Sequence, residues 1–375
     1  MYIRRIIQDK IENSLFKEKV IILYGARRVG KTTILKELQK KYPEDSVYFN
    51  CDEPDVREKF TDKTSTELKN YLSDKKLILI DEAQRVPNIG LSLKLIVDNF
   101  PKVQIVATGS SSFELSNKIS EPLTGRKIEF KLYPFSLDEL SKTYSKNEVE
   151  RMLEKLLIFG TYPNAFFAGE ADAPNIISDI AESYLYKDAL EYQNIRKPEV
   201  IQKLLQALAL QIGKEVSYRE LGTLLSIDKI TLEKYIDLLE KAFIIFKLPP
   251  LSRNLRKEIG KMRKIYFYDM GIRNSLIRNF NSLSIRTDTG VMWENFLIAE
   301  KIKRNNNEGK RVNSYFWRTY DQKEVDYVEE SSGEIKGFEI KWTETKFKEP
   351  ALFSETYKGS AVQLINKNNF WEFIG

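Results

Sequence analysis

The chain has 375 residues, is 42% hydrophobic and 30% charged, carries a net charge of +6, and holds one cysteine and no histidine. That length suggests two or three domains, and the mild basicity tilts toward a polyanionic partner without requiring one. The lack of histidine excludes Ser-His-Asp and Cys-His catalysis and argues against zinc, so any metal must sit on carboxylates, carbonyls and water, as Mg2+ or Mn2+ do. The lone Cys51 cannot form an intrachain disulfide and fits a reducing cytoplasm.

Met1–Gln8 has basic residues but no apolar core, so no signal peptide is expected, and no apolar run reaches the ~20 residues that span a bilayer. Next, Val20-Ile21-Ile22-Leu23-Tyr24 reads as a buried strand. It leads into Gly25-Ala26-Arg27-Arg28-Val29-Gly30-Lys31-Thr32, followed by Thr33 and an amphipathic stretch with Ile34, Leu35 and Leu38. Strand, glycine loop and helix start form a P-loop, in which backbone N–H groups and the helix dipole face phosphates. Lys31 is expected on the β/γ-phosphates and the Thr32 hydroxyl on Mg2+, with ATP as the nucleotide. Lys76–Ile80 is a second apolar strand that ends in Asp81-Glu82. Asp81 is placed in the Mg2+ shell, and Glu82 is placed to orient and polarise the attacking water.

Further strands are expected at residues 47–50, 103–107 and 128–132. Strands alternating with helical stretches imply a parallel sheet covered by helices. The strand at 103–107 runs into Thr108-Gly109-Ser110-Ser111-Ser112, where Thr108 or Ser110 can contact the γ-phosphate or the water; an ordinary turn capping a helix reads equally from these residues. Arg126 precedes the last of these strands. It is either a surface arginine or a guanidinium that reaches the γ-phosphate, in cis or from a neighbouring subunit.

Residues 136–195 read as a helical lid, with Tyr184, Tyr186 and Tyr192 as core aromatics. Residues 196–275 read as three helices and a hairpin, a winged helix-turn-helix, with Ser217 and Glu220 forming a capping box. The connection between its last two strands carries Arg253, Arg256, Lys257, Lys261, Arg263 and Lys264 and can follow a DNA backbone. The third helix, however, shows the acids Glu233 and Asp237, which suit a protein partner instead. Residues 276–375 read as a separate α/β domain: a helix holding Glu294, a strand with Asp326, and a strand with Glu339 and Lys341 two apart on one face. An Asp…Glu-X-Lys set fits a metal-dependent phosphodiesterase, with Asp326 and Glu339 on Mg2+ or Mn2+, Glu294 supporting them, and Lys341 steadying the phosphate charge. Such residues are also commonplace on amphipathic strands.

Taken together, Gly25–Thr33, Leu79–Arg85, Ala107–Ser112, Leu123–Arg126, Tyr133–Leu140, Lys264–Gly271 and Trp293–Glu339 resemble a family of archaeal and bacterial AAA+-like ATPases with a C-terminal DUF4143 region. The resemblance implies a multidomain α/β chain. It would have a P-loop ASCE/AAA+-like core at 1–135, a helical lid at 136–195, a winged helix at 196–275 and a restriction-endonuclease-like domain of the PD-(D/E)XK type at 276–375. By that resemblance Arg126 maps to the family's Gly-Arg motif, and Asp326, Glu339 and Lys341 map to the nuclease motif. Two functions follow as expectations. One is an ATPase that couples nucleotide state to DNA binding or processing. The other is a STAND-like signalling or oligomerisation switch whose C-terminal domains dock proteins.

Overall fold

The apolar runs of the N-terminal part become the strands of one parallel sheet. They are β1 (Val20–Gly25), β2 (Ser46–Asn50), β3 (Leu77–Asp81), β4 (Gln104–Gly109) and β5 (Lys127–Leu132) in the computed structural model. The structure describes residues 2–72, 74–109, 119, 122–182, 198–252, 263–319, 322–344 and 346–374. The strand order is β2-β3-β4-β1-β5, and every pairing is parallel. β1, β3 and β4 are buried along their whole length, as central strands of a helix-covered parallel sheet must be. Because β4 inserts between β1 and β3, the carboxyl ends of these three strands lie side by side. The helix Lys31–Lys41 buries Ile34, Leu35 and Leu38, and Ile89–Asn99 buries Leu93 and Ile96.

The chain forms two compact units, and the first one, residues 1–133 with Lys241–Phe243, is built on this sheet. The second takes in most of residues 134–375. The helices expected as a lid lie, over their described part, inside this second unit. Leu153–Phe159 packs against Met270–Leu276 and Thr289–Glu308. Asn274 Nδ2 donates to the Leu157 and Ile158 carbonyls at 2.9 Å. Lys303 Nζ donates to the Phe135 carbonyl and to Thr161 Oγ1, both at 3.2 Å, and pairs with Glu300 at 2.7 Å. Tyr184, Tyr186 and Tyr192 lie outside the described residues.

Within the second unit, Pro198–Leu210, Tyr218–Leu225 and Lys229–Lys241 are helices. They accompany an antiparallel sheet of β6 (Glu215–Val216), β7 (Ile245–Leu248) and β8 (Arg263–Phe267), in the order β6-β8-β7. The Ser217 hydroxyl caps the second helix by accepting from Glu220 N at 3.3 Å. After the 20-residue helix Thr289–Glu308 comes a mixed sheet of β9 (Asn313–Arg318), β10 (Glu324–Ser331), β11 (Glu334–Ile340) and β12 (Val362–Ile365), in the order β12-β11-β10-β9. Its core holds Trp317, Val325, Val328, Phe353, Tyr357 and Val362. Among the described residues no helix is long and apolar enough to cross a membrane.

Candidate functional site

Gly25 ends β1 against β5 so closely that a Cβ there would collide with the Leu132 carbonyl. The loop then turns through Arg28 at φ 60° and Gly30 at φ 106°, both left-handed, and Lys31 opens the next helix. Such a backbone aims consecutive N–H groups at one point, which is how a loop binds phosphate. Lys31 is buried, and its Nζ donates to the carbonyls of Gly25 and Ala26 at 2.9 Å each.

Asp81 collects hydroxyls. Thr32 Oγ1 donates to its Oδ2 at 2.6 Å, Tyr48 OH donates to the same oxygen at 2.8 Å, and Thr108 Oγ1 donates to Oδ1. Thr108 also accepts from Glu82 N at 3.1 Å, so the tip of β4 fixes both carboxylate residues at the tip of β3. Glu82 itself sits in the left-handed region at φ 52°, and its Oε2 accepts from Gln84 Nε2 at 2.5 Å. A non-glycine residue there carries strain of order 1–3 kcal/mol, which surrounding bonds must offset. Tyr48 and Gln84 were not foreseen. The signal for Tyr48 is a polar-tipped residue near the end of the strand that neighbours β3. Cys51 lies nearby, but burial pushes its thiol up to about 12, so it offers no thiolate at neutral pH.

Arg126 sits elsewhere. Its carbonyl accepts from Val20 N at 2.8 Å, which places it at the amino end of β1, while the P-loop leaves the carboxyl end. Six parallel residues separate the two ends, roughly 17 Å at ~3.3 Å each. Its guanidinium is paired with Asp98 at 2.7 Å. Reach to its own P-loop in cis is thus corrected by geometry.

In the second unit, Asp326, Glu339 and Lys341 come together as their spacing suggests. Lys341 Nζ lies 2.7 Å from Glu339 Oε1 and 3.6 Å from Asp326 Oδ2, and Ile340 N donates to Asp326 Oδ2 at 2.9 Å. Glu294 joins them from its helix and accepts from Tyr266 OH at 2.6 Å. The unforeseen member is Lys264. It is 1% exposed, lies 3.3 Å from Glu294 Oε1 and 4.0 Å from Asp326 Oδ1, and contacts Glu324. Burial works against its charge, but Glu294, Asp326 and Glu324 more than offset this and hold the ammonium above the ordinary lysine range. Burial raises the Glu294 carboxyl further than Lys264 can undo, and burial with Asp326 raises Glu339.

Residues 17–141 match a family described as an AAA domain, residues 150–283 match the domain of unknown function DUF8612, and residues 289–366 match the domain of unknown function DUF4143. The chain is an AAA-domain protein with a C-terminal DUF4143 region. It is 29% identical over 350 residues to an uncharacterised protein of Mycobacterium tuberculosis, covering 91% of this chain and 74% of the relative. An uncharacterised protein of Methanocaldococcus jannaschii is 27% identical over 347 residues, with 86% and 75% covered. Among solved structures, a Thermotoga maritima RuvB mutant overlays at 15% identity and a TM-score of 0.35, covering 66% of this chain and 91% of that one. The Aeropyrum pernix ORC1 protein in complex with DNA overlays at 17% identity and a TM-score of 0.30, covering 70% and 87%. Overlays this loose bear on neither function nor partners.

The AAA domain and the DUF4143 region differ in their fitness for metal. In the AAA domain the Thr32 hydroxyl and the Asp81 carboxylate meet beside the loop, a hard-oxygen pair that suits Mg2+ on a bound nucleotide. In the DUF4143 region the metal expected on Asp326, Glu339 and Glu294 does not fit. Among the described residues no group of three or more carboxylates is arranged to hold one, and two ammonium groups already serve these carboxylates, Lys264 beside Glu294 and Asp326 and Lys341 beside Glu339 and Asp326.

The basic stretch is also redrawn. Lys264, expected on a DNA backbone, is interior. Arg263 is half-buried on β8. Arg253, Arg256, Lys257 and Lys261, together with Ser110, lie outside the described residues.

Proposed function

We propose that the chain binds and hydrolyses ATP at the P-loop and couples nucleotide state to DNA binding or processing by its second unit. The observation that carries this reading is the set of bonds joining Thr32, Asp81, Thr108 and Glu82 across three adjacent strand ends. Lys31, now on two loop carbonyls, would exchange those bonds for the β/γ-phosphates. Thr32 and Asp81 would hold Mg2+, which would supply positive charge against that of the phosphates. Thr108 keeps the Glu82 backbone in place, so that its carboxylate can orient and polarise a water.

The DNA part rests on the second unit. Three helices with a sheet in the order β6-β8-β7 support a winged helix. The helix Thr289–Glu308 followed by a mixed sheet that gathers Asp326, Glu339 and Lys341 supports a restriction-endonuclease-like fold. A second reading, a switch that docks proteins, is favoured by Asp237 and Glu233, which stand 54% and 46% exposed on the third helix of the wing module.

The test pairs two assays. ATP turnover is expected in the wild type and lost by at least ~100-fold in Lys31→Ala. Filter binding to duplex DNA is expected at low salt and should weaken steeply as salt rises. Turnover without DNA binding at any salt would move the reading to the switch, and turnover equal in both proteins would remove the ATPase assignment.

A further inference from the structure

The carboxylates gathered in the DUF4143 region already have a cation. Lys264 reaches them from β8, and its main chain is tied on both sides, to Glu215 of β6 and to Leu248 of β7. The strand that carries the ammonium is therefore held in place by both of its neighbours. The other carboxylates have cations beside them as well. Lys341 serves Glu339 and the second oxygen of Asp326. Arg318 Nε lies 3.7 Å from Glu324, and its Nη1 lies 3.4 Å from Glu215, the residue whose main chain pairs with Lys264. Five carboxylates, with Glu215 counted, thus face three cations, and Tyr266 donates a further bond to Glu294. Glu339 Oε2 is a buried acceptor left without a hydrogen-bond partner.

We propose that this cluster is a metal-free site, in which Lys264 and Lys341 supply the positive charge that a phosphodiesterase would draw from a divalent cation. It ties the three-stranded sheet to the DUF4143 sheet and does not cleave phosphodiester bonds. This goes beyond the ATPase and DNA reading and does not depend on it, since neither ATP turnover nor filter binding reports on the cluster.

The test is Mn2+ binding to the nucleotide-free, full-length protein, followed by electron paramagnetic resonance with Mn2+ alone as the probe. Wild type, Asp326→Asn and Glu339→Gln are expected to bind the same number of Mn2+ ions with the same affinity. A site present in the wild type and lost in either variant overturns the proposal. A second arm uses Lys264→Met, with its fold checked by circular dichroism. It is expected to gain one Mn2+ site, which Asp326→Asn added on top removes again. A folded Lys264→Met that gains none also overturns the proposal, because Lys264 would then not be what excludes the metal. Should that variant not fold, the comparison of wild type with Asp326→Asn and Glu339→Gln decides alone.

Discussion

At the residue scale, Asp81 is held by three hydroxyls, from Thr32, Tyr48 and Thr108, each on a different element. Removing one alters aim more than charge. Tyr48→Phe is expected to cost about 1 kcal/mol of stability, the usual net worth of one hydrogen bond, and to raise the Mg2+ concentration needed for half-maximal turnover several-fold. Thermal melts and a Mg2+ titration of the ATPase check both halves. Glu82 has a different part. Glu82→Gln is expected to keep ATP affinity while turnover falls by about 10²–10⁴-fold, the range for loss of a general base. Nucleotide binding measured beside single-turnover hydrolysis separates the two. An equal loss of both would make Glu82 a binding residue.

At the element scale, the start of the helix Thr289–Glu308 rests on ion pairs. Asp288 Oδ2 lies 2.6 Å from Arg273 and 2.8 Å from Arg286. Burial opposes its ionisation, yet the two guanidinium groups outweigh burial and hold the carboxyl down to about 2. A depressed carboxyl stabilises the fold above its unfolded value near 4 and loses that contribution as pH falls through about 2. Asp288→Asn is therefore expected to cost about 1–2 kcal/mol at pH 7, after allowing for solvent screening, and almost nothing near pH 2. Urea unfolding at both pH values would show whether the gap closes. That helix and the strands of the first sheet were legible because long apolar runs and helical spacing need no distant partner to be seen. β6 was not, since two residues carry no period. Nor was the place of Lys264: a lysine in a run of basic residues looks like surface until the fold sets Glu294 and Asp326 against it. Asp326, Glu339 and Lys341 fell between these cases. The two-residue spacing put Glu339 and Lys341 on one face, but only strand pairing brought Asp326 to them.

At the scale of the whole molecule, Arg126 lies at the wrong end of β1 for its own nucleotide. In a monomer, Arg126→Ala is expected to leave turnover unchanged and to cost no more than about 0.5 kcal/mol for its exposed pair with Asp98. Turnover that falls in Arg126→Ala and returns on mixing with Lys31→Ala would instead mark an arginine supplied by a neighbouring copy. The division into two units was harder to read than the motifs. Domain boundaries were placed at changes of pattern along the chain; the one at 135/136 falls within two residues of the division into units, whereas the second unit runs across those at 195/196 and 275/276. Its joints are polar and buried: Lys303 on Phe135 and Thr161, Asn274 on Leu157 and Ile158, and Glu300 accepting from Leu137 N at 2.6 Å.

Those joints have a practical consequence for anyone cutting the gene. A cut through such joints strips buried charges of their partners and uncovers the apolar surface packed around them, Trp293 and Phe296 included. A fragment ending near residue 275 would carry Lys264 without Glu294, and one starting there would carry Lys303 without Thr161. Each half would expose apolar surface that the other half covers, so pieces trimmed at motif borders should come out of expression as inclusion bodies, and a single piece running from residue 134 to the end is the one to clone.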